Sequence, residues 1–288
     1  HQPVVKQSVY SPTWAAKERL NYTVKLAHIL AACMPEQETQ GTISTLPLGY
    51  RIGWNSAQQS EACKHLLHYV KKASAIEART GKQIRLCLEM EPGCVLETSD
   101  QLVHFFSHDL ARAAHAELID ISLLERYLGV CYDICHQAVM QESPVDSLGA
   151  IAAAGIRIGK IQVSSALVAQ YSEHKLLRPV LAPFAEQKYL HQVTTYNSEN
   201  VRVFLDDLSD AWGVEEFPTD RDWYIHYHLP IQCNDLPDEG LTTTQHAIVD
   251  VCEFLTTLDY KPHLEIETYT WTVLPVDKRP QDERGLIQ

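Results

Sequence analysis

An alternation of short apolar, strand-like runs with longer helical patterns constrains this chain more than any other feature. GTISTLPLGY (Gly41 to Tyr50), IRLCLEMEPG (Ile84 to Gly93), VCYDIC (Val130 to Cys135), IRIGKIQVSS (Ile156 to Ser165), DWYIHYHLPI (Asp222 to Ile231) and PHLEIETYTW (Pro262 to Trp271) read as strands. Helical patterns lie between them. One opens at Ser11-Pro12, where a proline suits the first helical position. Another covers about Ser56 to Thr80 and stops at Gly81. A third is capped by Ser99, and Ser122 and Glu125 have capping-box spacing before Gly129. Alternation of this kind predicts a parallel sheet with helices outside it. Six strands are visible, whereas a closed (β/α)8 barrel needs eight.

The rhythm breaks once. Residues from about 166 to 222 form a mixed excursion too long for a simple βα loop. A polar tail from about 277 lacks any apolar period and is expected to be loose. The expectation is one α/β barrel domain over 1–288 with that insertion.

Net charge narrows the functions. With a formal charge of −13 over 288 residues, the surface repels phosphate backbones, so no nucleic-acid partner is expected. Lys/Arg blocks that would seek anionic membranes are missing, and no apolar run approaches the ~18 residues that span a bilayer. Eight cysteines occur without paired Cys-x-x-Cys knuckles. They read as reduced, packed thiols in a cytoplasmic protein. The chain begins at His1, so a targeting segment before it is left open.

Strand periodicity places the polar residues. Successive side chains face opposite sides of a strand. Ile84, Leu86, Leu88 and Met90 therefore share one side, and Arg85, Cys87, Glu89 and Glu91 the other. Leu264 and Ile266 oppose His263, Glu265 and Glu267. Ile161 and Val163 oppose Lys160, Gln162 and Ser164, while His226 and His228 flank Tyr227 on a common side. Asp133 shares its side with Cys131 and Cys135, and His136 follows three residues on. Each strand thus has an oily side for the helices and a side that turns polar toward its C-terminal end, where barrels build active sites. Converging acids and imidazoles would repel and desolvate one another if left bare. A divalent cation relieves this, and mixed carboxylate and imidazole ligands suit Mn²⁺, Mg²⁺, Co²⁺ or Zn²⁺. Taken singly, each group has a plainer use. Asp133 could cap the next helix, the histidines could be surface residues, and Glu265 and Glu267 could pair with lysines.

VCYDICH resembles the Asp-x-x-His strand end of the xylose isomerase-like barrel superfamily of sugar isomerases, epimerases and apurinic endonucleases. LEMEPG resembles its Leu-Glu-x-x-Pro/Ala-Gly segment, and LEIETY its last Glu-bearing strand. More closely, VVKQSVYSPTW, GTISTLPLGY, LEMEPGCVLETS, VCYDICHQAV, GKIQVSSAL, HYHLPI and HLEIETYTWTVLP resemble the bacterial metabolite traffic protein EboE group of that superfamily. The resemblance implies a xylose isomerase-like TIM barrel lacking its N-terminal strands here, with an open edge that invites pairing into a homo-oligomer. It implies metal carboxylates at Glu89, Asp133 and Glu267. His136 falls where isomerases bind substrate and endonucleases bind metal. Gln162 stands where the superfamily usually has a His ligand, and His228 or His226 is its expected replacement, with His228 the metal ligand. The group is associated with metabolite export, which implies membrane-protein partners of the same pathway.

Two functions follow. In the first, a divalent metal binds two adjacent oxygens of a small sugar-like metabolite. Glu91 or Glu265 moves the proton at the neighbouring carbon, His136 and His226 hold or protonate substrate oxygens, and Lys160 and Gln162 bind substrate. The reaction is isomerisation or epimerisation, with hydrolysis by metal-bound hydroxide as the enzymatic runner-up. In the second, the chain is a non-enzymatic metabolite-binding or scaffold protein of an envelope-directed pathway.

Overall fold

The structure is a computed structural model that describes residues 6–171, 177–212, 217–234, 236 and 240–267. Its strands in chain order are β1 (Gln40–Thr45), β2 (Gln83–Glu89), β3 (Leu128–Asp133), β4 (Ile158–Val163), β5 (Ser165–Ala169), β6 (Val193–Tyr196), β7 (Arg202–Leu205), β8 (Trp223–Leu229), β9 (Leu241–Thr243) and β10 (His263–Ile266). They form two sheets. One has the order β1-β2-β3-β4-β10, the other β7-β6-β8-β5-β9.

Every pairing in the first sheet is parallel. Its oily face carries Ile84, Leu86, Leu88, Val130, Tyr132, Ile158 and Ile161 into the main core, against helices Lys17–Cys33 and Ser56–Thr80. The second helix is well punctuated. Asn55 and Gln58 form a reciprocal capping box, and Gly81 ends the helix at φ +71°, a left-handed position that glycine occupies without steric cost.

The sheet is curled. Thr42 on β1 and His263 on β10, its two edge strands, are joined side chain to side chain at 2.8 Å. Gly159 on β4 leaves room for side chains of β2 inside the curl, because a Cβ there would lie 2.5 Å from Cys87 Sγ. Five parallel strands make an open, barrel-like half among the described residues, not the closed eight-stranded barrel.

The difference from the expected strand set has a physical origin. DWYIHYHLPI is a strand, but it joins the other sheet and pairs antiparallel with β5 and β6. Its alternation looks the same whichever sheet accepts it. The excursion at about 166–222 supplies β5, β6 and β7, and this antiparallel sheet runs on to Thr243 with its own core of Leu167, Phe184, Val193, Trp223, Ile225 and Tyr227. The tail from about 277 lies outside the described residues, and among those described no helix is long and apolar enough to cross a membrane.

Local caps also differ. Asp120, not Ser122, caps helix Ile121–Tyr127. Thr98, not Ser99, caps helix Ser99–His104 through a box with Gln101. The first long helix begins at Lys17 rather than at Pro12.

Candidate active site

The ends of β2, β3, β4 and β10 deliver the candidate ligands. Asp133 and Gln162 are register partners on β3 and β4. Glu267 extends β10 by one residue, its N–H donating to the Val163 carbonyl at 3.2 Å. Asp133 is the last residue of β3 and also the cap of helix Ile134–Val139, with Oδ1 accepting the His136 N–H at 2.9 Å. Capping and convergence are therefore compatible: one oxygen serves the helix and the other is left for the site.

Carboxylate oxygens of Glu89, Asp133 and Glu267 all lie within 4.8 Å of one another. Asp133 is fully buried, and among the described residues its Oδ2 has no hydrogen-bond donor. Burial first, and then the charge of Glu267, hold the Asp133 carboxyl well above the ordinary carboxylate range. The Glu89 carboxyl is raised in the same way by burial, Glu267 and Glu91. A buried acid with an orphaned oxygen beside two further acids has the donor chemistry a hard or borderline divalent cation takes. Gln162 partly relieves the crowding: its amide N–H group donates to Glu89 Oε1 at 3.1 Å and to Glu267 Oε2 at 2.6 Å.

Three imidazoles close the rim from the other side. His136 comes from the helix after β3, while His226 and His228 come from β8 of the antiparallel sheet. The His136 ring lies edge-on to both, with centroids 4.6 and 5.2 Å away. Their tautomers follow from partners that can play one role only. His136 Nδ1 meets the Met90 carbonyl at 2.9 Å, so Nδ1 carries the proton. Nε2 keeps its lone pair and faces Asp133 Oδ2 at 4.0 Å.

Gln192 sets the other two. Its Nε2 donates to the Pro92 carbonyl at 2.9 Å, so its Oε1 accepts from His226 Nδ1 at 2.6 Å. His226 Nε2 then accepts from His228 Nε2 at 3.0 Å, and His228 Nδ1 accepts from the Ser164 hydroxyl at 2.8 Å. Burial pushes His136 and His228 down to about 3, with His228 the next cause for the first and His191 for the second. All three rings are neutral near pH 7, since burial and neighbouring imidazoles lower His226 as well.

Glu91 stands beside this cluster. An oxygen of Glu91 lies within 4.8 Å of ring nitrogens of His136 and His226. Burial raises its carboxyl to about 7, partly offset by the Tyr10 hydroxyl, which donates to Oε1 at 2.7 Å. Gly93, at φ +84°, turns the chain just beyond Glu91, and a Cβ there would lie 2.6 Å from the Tyr50 ring.

Not every candidate converges. Lys160 and Glu265 pair with each other at 2.5 Å, each two residues before its strand's rim residue, and the Glu265 side chain is 55% exposed. They form an ion pair two residues short of the rim, and the Lys160 charge still acts on Glu89, lowering its carboxyl against burial. Tyr10 and Gln192 were not among the candidates. Gln192 lies in the irregular excursion, where no periodicity marks its direction, and Tyr10 lies in a short 3-10 turn (Lys6–Tyr10).

No family model matches the chain, and no curated protein matches it. Among solved structures it is similar to 3-keto-D-glucoside 4-epimerase YcjR from E. coli, in its apo form, at 13% identity and a TM-score of 0.33, over 60% of this chain and 64% of that one. It thus spans less than two thirds of that epimerase. It is also similar to an L-ribulose 3-epimerase at 12% identity and a TM-score of 0.34, over 85% of this chain and 71% of that one.

Proposed function

We propose that this chain is a divalent-metal-dependent isomerase or epimerase of a small, polyhydroxylated, sugar-like metabolite. The observation that carries the reading is the meeting of Glu89, Asp133 and Glu267 around a buried Asp133 oxygen that no described residue donates to. These three residues would hold the cation. His136 offers Nε2 as it stands, and His228 offers Nδ1 once released from Ser164. Such a cation supplies polarisation of adjacent substrate oxygens.

The chain's own residues do the rest. For isomerisation, Glu91, with a carboxyl that titrates at about 7, takes the proton from the carbon beside the substrate carbonyl and returns it to the carbonyl carbon, while a hydroxyl proton passes from one substrate oxygen to the other. Tyr10 holds Glu91 Oε1 in place. His136 accepts from a substrate hydroxyl through Nε2 when that nitrogen does not hold the cation, His226 does so once its Nε2 is released from His228, and the antiparallel sheet carrying His226 and His228 shields the rim from water. Lys160 and Glu265 support the strands below. The resemblance of the sequence to the EboE group extends the reading to a step linked to metabolite export.

The test is metal analysis of purified protein, followed by a panel of aldose–ketose and epimer pairs with and without chelator. Metal at one or more equivalents and chelator-sensitive turnover are expected. Absence of both, under reconstitution with Mn²⁺, Mg²⁺, Co²⁺ and Zn²⁺, overturns the reading.

One observation favours the second reading, a metabolite-binding protein without turnover. The Gln162 amide already bridges Glu89 and Glu267, which is part of what a cation would do. A metal-free protein that binds metabolite and converts nothing would be this carrier.

A further inference from the structure

A cavity of about 390 Å³ is lined in part by Tyr10, whose hydroxyl donates to Glu91. Its walls include Tyr10, Tyr50 and Trp54, with Ser8, Ser11 and Gln58 among the polar groups. The rings of Tyr10 and Tyr50 stack at 5.0 Å between centroids and 30° between planes. Trp54 is fixed independently, its indole N–H donating to Gln59 Oε1 at 2.8 Å. Gly49 lets the neighbouring loop lie against it, where a Cβ would come within 3.0 Å of Trp54 Cζ3.

Among the described residues no charged side chain lines this cavity. Arg51, between the lining residues Tyr50 and Ile52, is engaged with Glu97 at 2.7 Å and Asp206 at 3.4 Å and lies over the Phe204 ring at 4.0 Å. The contrast with the cavity between helices Ser56–Thr80 and Ala111–Ala116 is plain, since that one is lined by Lys64, Asp109, Arg112 and Glu117. An uncharged pocket with rigid aromatic faces and a rim of hydroxyls and amides matches one chemical class. Sugar rings present C–H faces that pack on aromatic rings and hydroxyl edges that need donors and acceptors. The volume falls in the range of small-ligand sites, roughly 300–1,000 Å³.

We propose that the cavity walled by Tyr10, Tyr50 and Trp54 is a second binding site, for a neutral polyhydroxylated ring, one side chain away from Glu91. Its occupant rests against Tyr10, whose hydroxyl holds Glu91. The site can therefore take an uncharged sugar, or the non-reacting ring of a glycoside, beside the rim. Only its link to catalysis rests on the function proposed above; the binding itself does not.

Binding of methyl β-D-glucopyranoside to the full chain, followed by saturation-transfer NMR, tests this. The glucoside is expected to bind, and glucose 6-phosphate to bind less well. Trp54→Ala should weaken the glucoside by about tenfold or more through loss of the aromatic face. Ser8→Trp, at an exposed position, should block the mouth and weaken it similarly while leaving the Trp54 packing in place. Glu89→Gln, at the rim, should leave this binding unchanged. No binding to the wild-type chain, or full binding by both Trp54→Ala and Ser8→Trp, overturns the proposal. Loss in Glu89→Gln alone places the sugar at the rim and also overturns it, with the proposed function still standing. Trp54-dependent binding by a chain that retains no metal and turns over nothing removes the proposed function and leaves the second site in place.

Discussion

The side-chain amide of Gln162 donates to the carboxylate of Glu267 at 2.6 Å, and the same nitrogen reaches Glu89 at 3.1 Å. A neutral amide thus sits between two acids that also crowd Asp133. Gln162→Glu would replace the donor with a fourth carboxylate. Without metal, the variant should lose stability by about 1–3 kcal/mol, the cost of leaving buried polar groups unpaired. Added Mn²⁺ or Zn²⁺ should restore more stability to the variant than to the wild type. Thermal melts in chelator and in metal check both halves, and a chelated variant as stable as the wild type would count against the crowded-acid description.

Asp133 divides its two oxygens between a helix cap and the acid cluster, so two substitutions separate the roles. Asp133→Asn keeps an oxygen for the His136 N–H and removes the charge that lacks a donor. It should melt at or above the wild-type temperature in chelator while retaining less metal. Asp133→Ala removes the cap as well and should cost about 1 kcal/mol more than Asn. Metal analysis beside chemical denaturation reads both effects. Unchanged metal content in either variant would remove Asp133 from the ligand set.

The sequence made part of this legible for a definite reason. In Glu89, Asp133, Gln162 and Glu267, strand alternation alone decides which face a side chain takes, and parallel strands bring like ends together. His226 and His228 were visible as a same-side pair, but nothing in their alternation says which sheet receives β8. Their approach from an antiparallel sheet depends on long-range pairings between β5, β6 and β8. Lys160 and Glu265 satisfy the same face rule as the rim residues, yet each stops two residues short, a depth that periodicity does not encode. Tyr10 and Gln192 act through side-chain hydrogen bonds from irregular segments and leave no pattern to read.

Tyr10 lowers the Glu91 carboxyl by donating to it, and burial raises it to about 7. Removing the hydroxyl in Tyr10→Phe should therefore move the Glu91 titration upward. Carbon-13 chemical shifts of labelled glutamate across pH 5 to 9, a range spanning the neutral titration in question, would follow this in the metal-free protein. Glu91→Gln should reduce any turnover by roughly 10²–10⁴ while metal content stays the same. A downward shift in Tyr10→Phe would contradict the hydrogen bond as drawn.

Gln192 ties the two sheets together at the rim. It is fully buried and bonds the Pro92 carbonyl, the Tyr10 hydroxyl at 3.3 Å and His226. Gln192→Ala should destabilise the protein by about 1–3 kcal/mol, since it leaves the Pro92 carbonyl and His226 Nδ1 without partners. It should also free the His226 tautomer, which nitrogen-15 shifts of the imidazole would report. A tautomer unchanged from wild type would mean that another group fixes the ring.

His136 and His228 are held down to about 3 by burial and by neighbouring imidazoles, against about 6.5 in an unfolded chain. Below 6.5 the unfolded state takes up protons that the native rings refuse, so their contribution is intact above that pH and is lost as pH falls toward 3. The raised carboxyls of Glu89, Asp133 and Glu91 act with the opposite sign, because the native state keeps protons that the unfolded chain has released. Comparing the wild type with His228→Asn separates the two effects, as both proteins carry the same acids. Between pH 6 and 4, a span inside the window set by 6.5 and 3, the wild type should lose about 1.4 kcal/mol more per pH unit than the variant, the slope for one proton. Urea unfolding of the chelated proteins at several pH values measures this difference. Parallel slopes would mean that the buried His228 ring is protonated in the native state, and the Ser164 bond would then have to be reversed, with His228 Nδ1 donating to the hydroxyl.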